Sequence, residues 1–179
     1  MRSGWGRRRN SLACTHACRC CARVQRVGEH CIAVDPWFLV DGAPDDTPLL
    51  RAARAVNEAR PHQVAARLRA HAARFRDPVI ACMGLTYKPD VDDMRESPSA
   101  AILRELADGT VEILVCDPWV ASLPTALANL PRVRLVDAGT ALARADIVGL
   151  LVGHAAFCTL DKHGLATKLV FDAVGLLTP

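Results

Sequence analysis

From Pro78 onward the chain alternates short apolar runs with more polar, helix-forming stretches. The runs read VIACMGL, VEILVCD, RVRLVD, DIVGLLV and KLVFDAV, and between them lie a helix opening at Pro98, a poorly defined segment after Asp117, a short helix near Leu142 and a helical stretch after Val152. This rhythm predicts βαβ units, hence an α/β fold built on a doubly wound parallel sheet. Strands such as Ile147-Val148-Gly149-Leu150-Leu151-Val152 are apolar without alternation, the pattern of strands covered by helices on both faces.

Helix punctuation supports the same division. Ser97-Pro98 supplies an N-cap hydroxyl followed by proline at the first helical position, and Gly109 is placed to end that helix. Thr47-Pro48 repeats the device after DGAPDD, which reads as a loop over Asp41 to Asp46. Leu50, Ala53 and Val56 open an apolar stripe that resumes at Val64, Leu68, Ala72 and Phe75, with Arg51, Arg67, Arg69 and Arg74 forming an exposed row. The expectation is a long amphipathic helix that Pro61 kinks or splits.

At 179 residues the chain fits one ordinary domain plus an appendage. Half the residues are apolar while only 4% are aromatic, so the core should be aliphatic. The net charge of +3 conceals an asymmetry, because residues 1–26 hold seven arginines and no acid. The remainder is therefore net acidic, which argues against nucleic-acid binding by the folded body.

The 1–26 head shows neither helical nor strand periodicity and is expected to be an unrelated, disordered, basic, Cys-rich extension. A metal site from Cys14, His16, Cys18, Cys20 and Cys21 is the alternative, although paired C-x-x-C knuckles are missing. Cys82, Cys116 and Cys158 lie in apolar runs and read as reduced core thiols. No apolar segment approaches the roughly 18 residues that span a bilayer, and the expectation is a cytoplasmic, reducing location without membrane contact.

Two stretches carry candidate chemistry. The first is GLTYKPDVDDMRESPSA, which follows the first strand of the sheet, where ligands of open α/β folds bind. It offers Lys88 and Arg95 as cations beside a helix N-terminus, interleaved with Asp90, Asp92, Asp93 and Glu96. The residues alone leave open a ligand loop or a solvated acidic-basic turn. No G-x-G-x-x-G follows any strand, so a complete dinucleotide site is not encoded. The second stretch, HCIAVDPWF, sets Cys31 four residues before Asp35. One helical turn would put both on one face, while the plain alternative is a packed thiol and a carboxylate capping before Pro36.

With these motifs in view, residues 27–179 resemble the C-terminal half of the nucleotide-sugar 6-dehydrogenases, the family of UDP-glucose and GDP-mannose dehydrogenases. VGEHCIAVDPWFLV, RAARAVNEARP and GLTYKPDVDDMRESPSA occur in the family's order, followed by a Rossmann-like βα repeat. HCIAVDPWF is most similar to the branch acting on UDP-N-acetylmannosamine or a related UDP-N-acetylhexosamine. The resemblance implies a catalytic-Cys loop and interdomain or dimerisation helix over 27–76, then a UDP-sugar-binding Rossmann-like domain over 77–179. It implies oxidation of a primary alcohol to a carboxylate with NAD as cofactor, in polysaccharide precursor synthesis.

By the same resemblance, Cys31 is the nucleophile that forms a thioester and Asp35 the carboxylate that helps activate the hydrolytic water. Gly28 belongs to a glycine loop around the sugar, Tyr87 and Lys88 contact the nucleotide sugar, and Arg95 reaches NAD. The helix over 48–75 would support a homodimer. Three departures stand out: Arg26 and Glu29 occupy glycine positions of the family loop, Val174 stands where a basic residue is common, and the N-terminal NAD-binding domain has no counterpart. The chain is therefore expected to be inactive alone, with a head derived from a shifted reading frame or misassigned start.

Overall fold

The structure, a computed structural model, describes residues 30–160 and 162–177, with side chains from 34 onward apart from those of 162–163. The cysteine-rich head, Arg26, Gly28 and Glu29 thus lie outside the described residues, as does the side chain of Cys31.

Five strands, β1 (Val79–Met83), β2 (Glu112–Cys116), β3 (Val133–Leu135), β4 (Ile147–Leu150) and β5 (Leu169–Asp172), form one sheet in the order β3-β2-β1-β4-β5. All neighbours pair in parallel, with Ile80 opposite both Ile113 and Ile147. Successive residues of β1 enter opposite cores. Ile80 and Cys82 pack with Leu68, Ile102 and Leu106, whereas Ala81 and Met83 pack with Ala141, Ala145 and Phe157. The continuous apolar runs in the sequence follow from this, since each strand has a buried face on either side.

Helix α1 (His30–Gly42) precedes the long α2 (Pro48–Ala72), and α3 (Pro98–Leu106), α4 (Thr125–Ala128), α5 (Ala138–Arg144) and α6 (Lys162–Ala166) connect the strands. The chain steps outward from β1 to β2 and β3, then returns to β4 on the other side of β1. That reversal creates a switch point at the carboxyl ends of β1 and β4, the position where such folds bind ligands.

Ser97 behaves as its sequence predicts, its Oγ accepting the Ala100 N–H at 3.2 Å with Pro98 opening α3. Thr47 does not: its hydroxyl donates to the Ala43 carbonyl at 2.8 Å and makes no cap bond to α2. Nor does Pro61 split α2, which continues as one 25-residue helix. The proline forfeits one backbone hydrogen bond, but its ring is buried with Val64, Ala65 and Leu68, and each fully buried Leu or Val side chain contributes about 1.5–3 kcal/mol.

Only the C-terminal half of α2 lies against the sheet. Leu68 is fully buried, whereas Val56, placed on the same expected stripe, is 71% exposed. Arg54 is the buried residue of the N-terminal half, paired with Glu58 at 3.0 Å. Outside the core, Arg69 bonds the Glu105 carbonyl and His62 Nδ1 lies 2.7 Å from Glu105 Oε2, tying α2 to α3. Such partly solvated pairs add about 0–1 kcal/mol each, so apolar burial is what seats α2. Cys82 and Cys116 are buried free thiols, but Cys158 is exposed because its apolar run forms a surface 3-10 turn, Ala155–Thr159.

Candidate functional site

The switch point is built around one buried carboxylate. Asp117 follows β2 directly, and its Oδ2 accepts the N–H groups of Leu85 at 2.7 Å and Thr86 at 3.0 Å, both in the turn leaving β1. Its Oδ1 accepts the Trp119 N–H at 2.8 Å, closing its own loop. From the far side His154, which follows β4 and is fully buried, places Nε2 3.0 Å from Asp117 Oδ2. Burial alone would raise the Asp117 carboxyl, but the hydrogen bonds from His154, Leu85, Trp119 and Thr86 outweigh it and hold the group below the ordinary carboxylate value.

The other nitrogen of His154 faces the loop after β1. Nδ1 accepts the Asp90 N–H at 3.0 Å, so that nitrogen carries the lone pair and the ring proton resides on Nε2, directed at Asp117. Asp90 adopts a left-handed conformation (φ 59°), and its Oδ1 accepts the Ala155 N–H at 3.1 Å. A non-glycine residue held there costs about 1–2 kcal/mol of local strain, which these bonds offset. The Thr86 hydroxyl donates to the Lys88 carbonyl at 3.1 Å, the Tyr87 N–H to Asp93 O at 2.7 Å, and the Ser97 hydroxyl to Leu85 O at 2.6 Å.

A loop of residues 84–97 is thereby pinned at both ends and in the middle. It begins at Gly84 (φ 98°), whose N–H donates to the Cys116 carbonyl at 2.7 Å. A Cβ there would lie 2.4 Å from Val152 Cβ, so the close approach of this turn to the end of β4 requires glycine.

The loop brings Tyr87, Lys88 and Arg95 onto one element. Lys88 is exposed, and Arg95, also exposed, grips Asp93 in a two-point ion pair, Nε to Oδ1 at 3.0 Å and Nη2 to Oδ2 at 2.8 Å. The hydrogen bond and the charge of Asp93 raise the Arg95 pKa further, so the guanidinium is charged but neutralised locally. Asp35 stands apart, exposed on α1, whose packing runs to α2. Cys31 lies four residues before Asp35 in the backbone of α1. Val174 is buried after β5, its N–H accepted by Asp172 Oδ1 at 3.1 Å.

A cleft of about 470 Å³ opens beside this cluster, between the ends of β2 and β3, lined by Cys116, Val120, Asp137, Phe157 and Leu160 among others. Its carboxylates are already committed: Asp117 as described, and Asp137 to the Thr140 N–H at 2.9 Å and hydroxyl at 2.6 Å. Similarly, the amides of the first βα turn, which in a dinucleotide-binding sheet would face a pyrophosphate, are occupied by Asp117. The described residues therefore do not fit NAD as a ligand of this sheet. Among them no group of three or more His, Cys, Asp or Glu could hold a metal ion, and no helix is long and apolar enough to cross a membrane.

Asp117 and His154 are the residues the sequence pattern hides. Their only signal is position: each is a polar residue just beyond an apolar strand run, at the sheet edge where sites form.

The fold and this edge define a class, the Rossmann-like doubly wound α/β domain with an ordered loop at its switch point. Comparison with known proteins narrows it. Residues 81–179 match the UDP-binding domain of the UDP-glucose/GDP-mannose dehydrogenase family. An NDP-N-acetyl-D-galactosaminuronic acid dehydrogenase of Ralstonia solanacearum is 50% identical over 153 residues, covering 84% of this chain and 35% of that protein. A UDP-N-acetyl-D-mannosamine dehydrogenase of Campylobacter jejuni is 42% identical over 137 residues, covering 76% and 34%. Among solved structures, the UDP-N-acetyl-mannosamine dehydrogenase of S. aureus superposes with a TM-score of 0.70 at 28% identity, over 87% of this chain and 36% of that one. The chain belongs to the UDP-glucose/GDP-mannose dehydrogenase family, and it spans about a third of the length of the curated relatives it matches.

Proposed function

We propose that this chain supplies the nucleotide-sugar-binding part of an NAD-dependent UDP-sugar 6-dehydrogenase whose substrate is a UDP-N-acetylhexosamine, within polysaccharide precursor synthesis. The observation that carries the reading is the pinned 84–97 loop, which carries Tyr87 and Lys88 at the switch point on a backbone held by hydrogen bonds at Gly84, Leu85, Thr86, Tyr87, Asp90 and Ser97. Lys88 would neutralise a phosphate oxygen and Tyr87 would border the nucleotide, with little ordering required on binding. The names of the relatives, a galactosaminuronate enzyme and a mannosamine enzyme, support an N-acetylated hexose over glucose.

In this reading Cys31 and Asp35 act in sequence on the sugar's C6. The C6 alcohol would first lose a hydride and a proton to give the aldehyde, the Cys31 thiolate would add to that carbon, and loss of a second hydride from the thiohemiacetal would give the thioester; Asp35 takes a proton from the water that cleaves it, releasing the uronate and the thiolate. NAD, held by another domain, would serve as the acceptor of both hydrides, and the reading assigns Arg95 of this chain to reach it. On this reading, residues 30–177 alone would not turn over a UDP-sugar. Val34, Phe38, Leu39, Leu49 and Val56, all exposed around α1 and the N-terminal half of α2, support a subunit contact along that helix, as in a homodimer.

Titration calorimetry with UDP tests the reading. Wild-type chain should bind, and Lys88→Ala, losing one charge-assisted hydrogen bond worth about 1.5–3 kcal/mol, should weaken binding about tenfold or more. Equal affinity for the two proteins, or no heat with wild-type chain at millimolar UDP, would refute it.

A further inference from the structure

We infer that His154 is a positioning residue for the nucleotide-sugar loop, with its two ring nitrogens doing separable jobs. The inference rests on the reading of 84–97 as that loop. Nε2 donates to Asp117 and belongs to the internal framework that joins β2 to β4. Nδ1 accepts the backbone N–H of Asp90 and belongs to the loop itself. Asp90 lies two residues beyond Lys88, and Lys88 is tied back by its carbonyl to Thr86, whose hydroxyl is also 3.2 Å from His154 Nε2. One imidazole thus spans from the buried carboxylate to the segment that carries Tyr87 and Lys88.

The geometry also explains why a histidine occupies this place. A part-buried backbone N–H in a left-handed turn is best satisfied by a fixed acceptor, and the buried Asp117 carboxylate gains from a donor on its opposite side. Neutral imidazole offers one of each on a rigid ring held edge-on to Phe157, with centroids 5.3 Å apart. An acyclic amide can reproduce either half. Asn places its carbonyl oxygen where Nδ1 sits, and Gln reaches the Nε2 position with its amide nitrogen.

The test crosses these two substitutions on the full chain. His154→Asn should keep the Asp90 N–H protected from exchange and keep UDP affinity close to wild type, while lowering the melting midpoint. His154→Gln should hold the midpoint better yet expose Asp90 N–H to exchange and weaken UDP about tenfold, the effect of one positioning hydrogen bond. A purely structural histidine would instead make affinity follow the melting midpoint in both variants, and that result would overturn the inference. If wild-type chain gives no UDP heat, the nucleotide reading fails separately, and the Asp90 exchange rates still decide: loss in His154→Gln with retention in His154→Asn sustains the latch, and equal rates remove it. Wild-type nitrogen NMR supplies a check that needs no variant. The ring must show its proton on Nε2 at neutral pH, and a proton on Nδ1 contradicts the assignment.

Discussion

Gly84→Ala is the most exacting perturbation of the site's framework, because two separate costs meet at one methyl group. The residue has φ 98°, and the added Cβ would lie 2.4 Å from Val152 Cβ and 2.8 Å from Val152 N. Holding an L-residue in that backbone region costs about 1–3 kcal/mol. Forcing a methyl against a neighbouring backbone atom costs about a further 1–3 kcal/mol, because no rotamer can yield. Gly109→Ala is the matched control: its φ is 88°, but its nearest atom is Pro131 Cγ at 3.9 Å, so only the conformational cost applies. Urea unfolding followed by far-ultraviolet circular dichroism should show Gly84→Ala losing about 2–6 kcal/mol and Gly109→Ala about 1–3. Val152 is two residues before His154, so UDP affinity should fall for the first variant alone. Equal losses of stability in the two variants would refute the crowding argument.

Two further outcomes follow from the buried titratable groups. The Asp117 carboxyl is held below its ordinary value in the folded chain, so its contribution to stability is complete above about pH 4 and lost as the pH falls through the folded value. Thermal melts from pH 6 to pH 2 should show that acid loss in wild type and a flatter profile in Asp117→Asn, which begins less stable by about 1–3 kcal/mol; parallel profiles would contradict the assignment. Burial pushes the Cys82 thiol up to about 12 from 9.0, and burial with the charges of Asp117 and Asp137 pushes Cys116 up to about 11. At pH 8 iodoacetamide should label Cys158 and spare both buried thiols until urea is added, and stability should decline above pH 9 as only the unfolded thiols ionise. Native labelling of Cys82 as fast as Cys158 would overturn this.

Sheet and connecting helices are legible along the chain because their causes are local. A strand buried on both faces must be apolar at every position, as 147–150 is, and Ser97-Pro98 states the start of α3 in two residues. Errors arise where burial depends on what lies opposite. Val56 continues a helical stripe in sequence but extends past the edge of the sheet and stays exposed, and the Thr47 hydroxyl finds the Ala43 carbonyl in place of its own helix. Cys158 is solvated because its apolar run forms a surface turn.

By itself the sequence determined the α/β class, the strand positions and the membership of Tyr87, Lys88 and Arg95 in one loop after the first strand. Each is a property of spacing, and period and caps act within a few residues. Only the tertiary structure decided what holds that loop. Asp117 meets Leu85 and Thr86 from 31–32 positions away, and His154 meets Asp117 and Asp90 from 37 and 64. Those partners converge because parallel strand order brings three carboxyl ends to one edge, where a buried carboxylate must collect every donor within reach. No periodicity in the chain records that requirement.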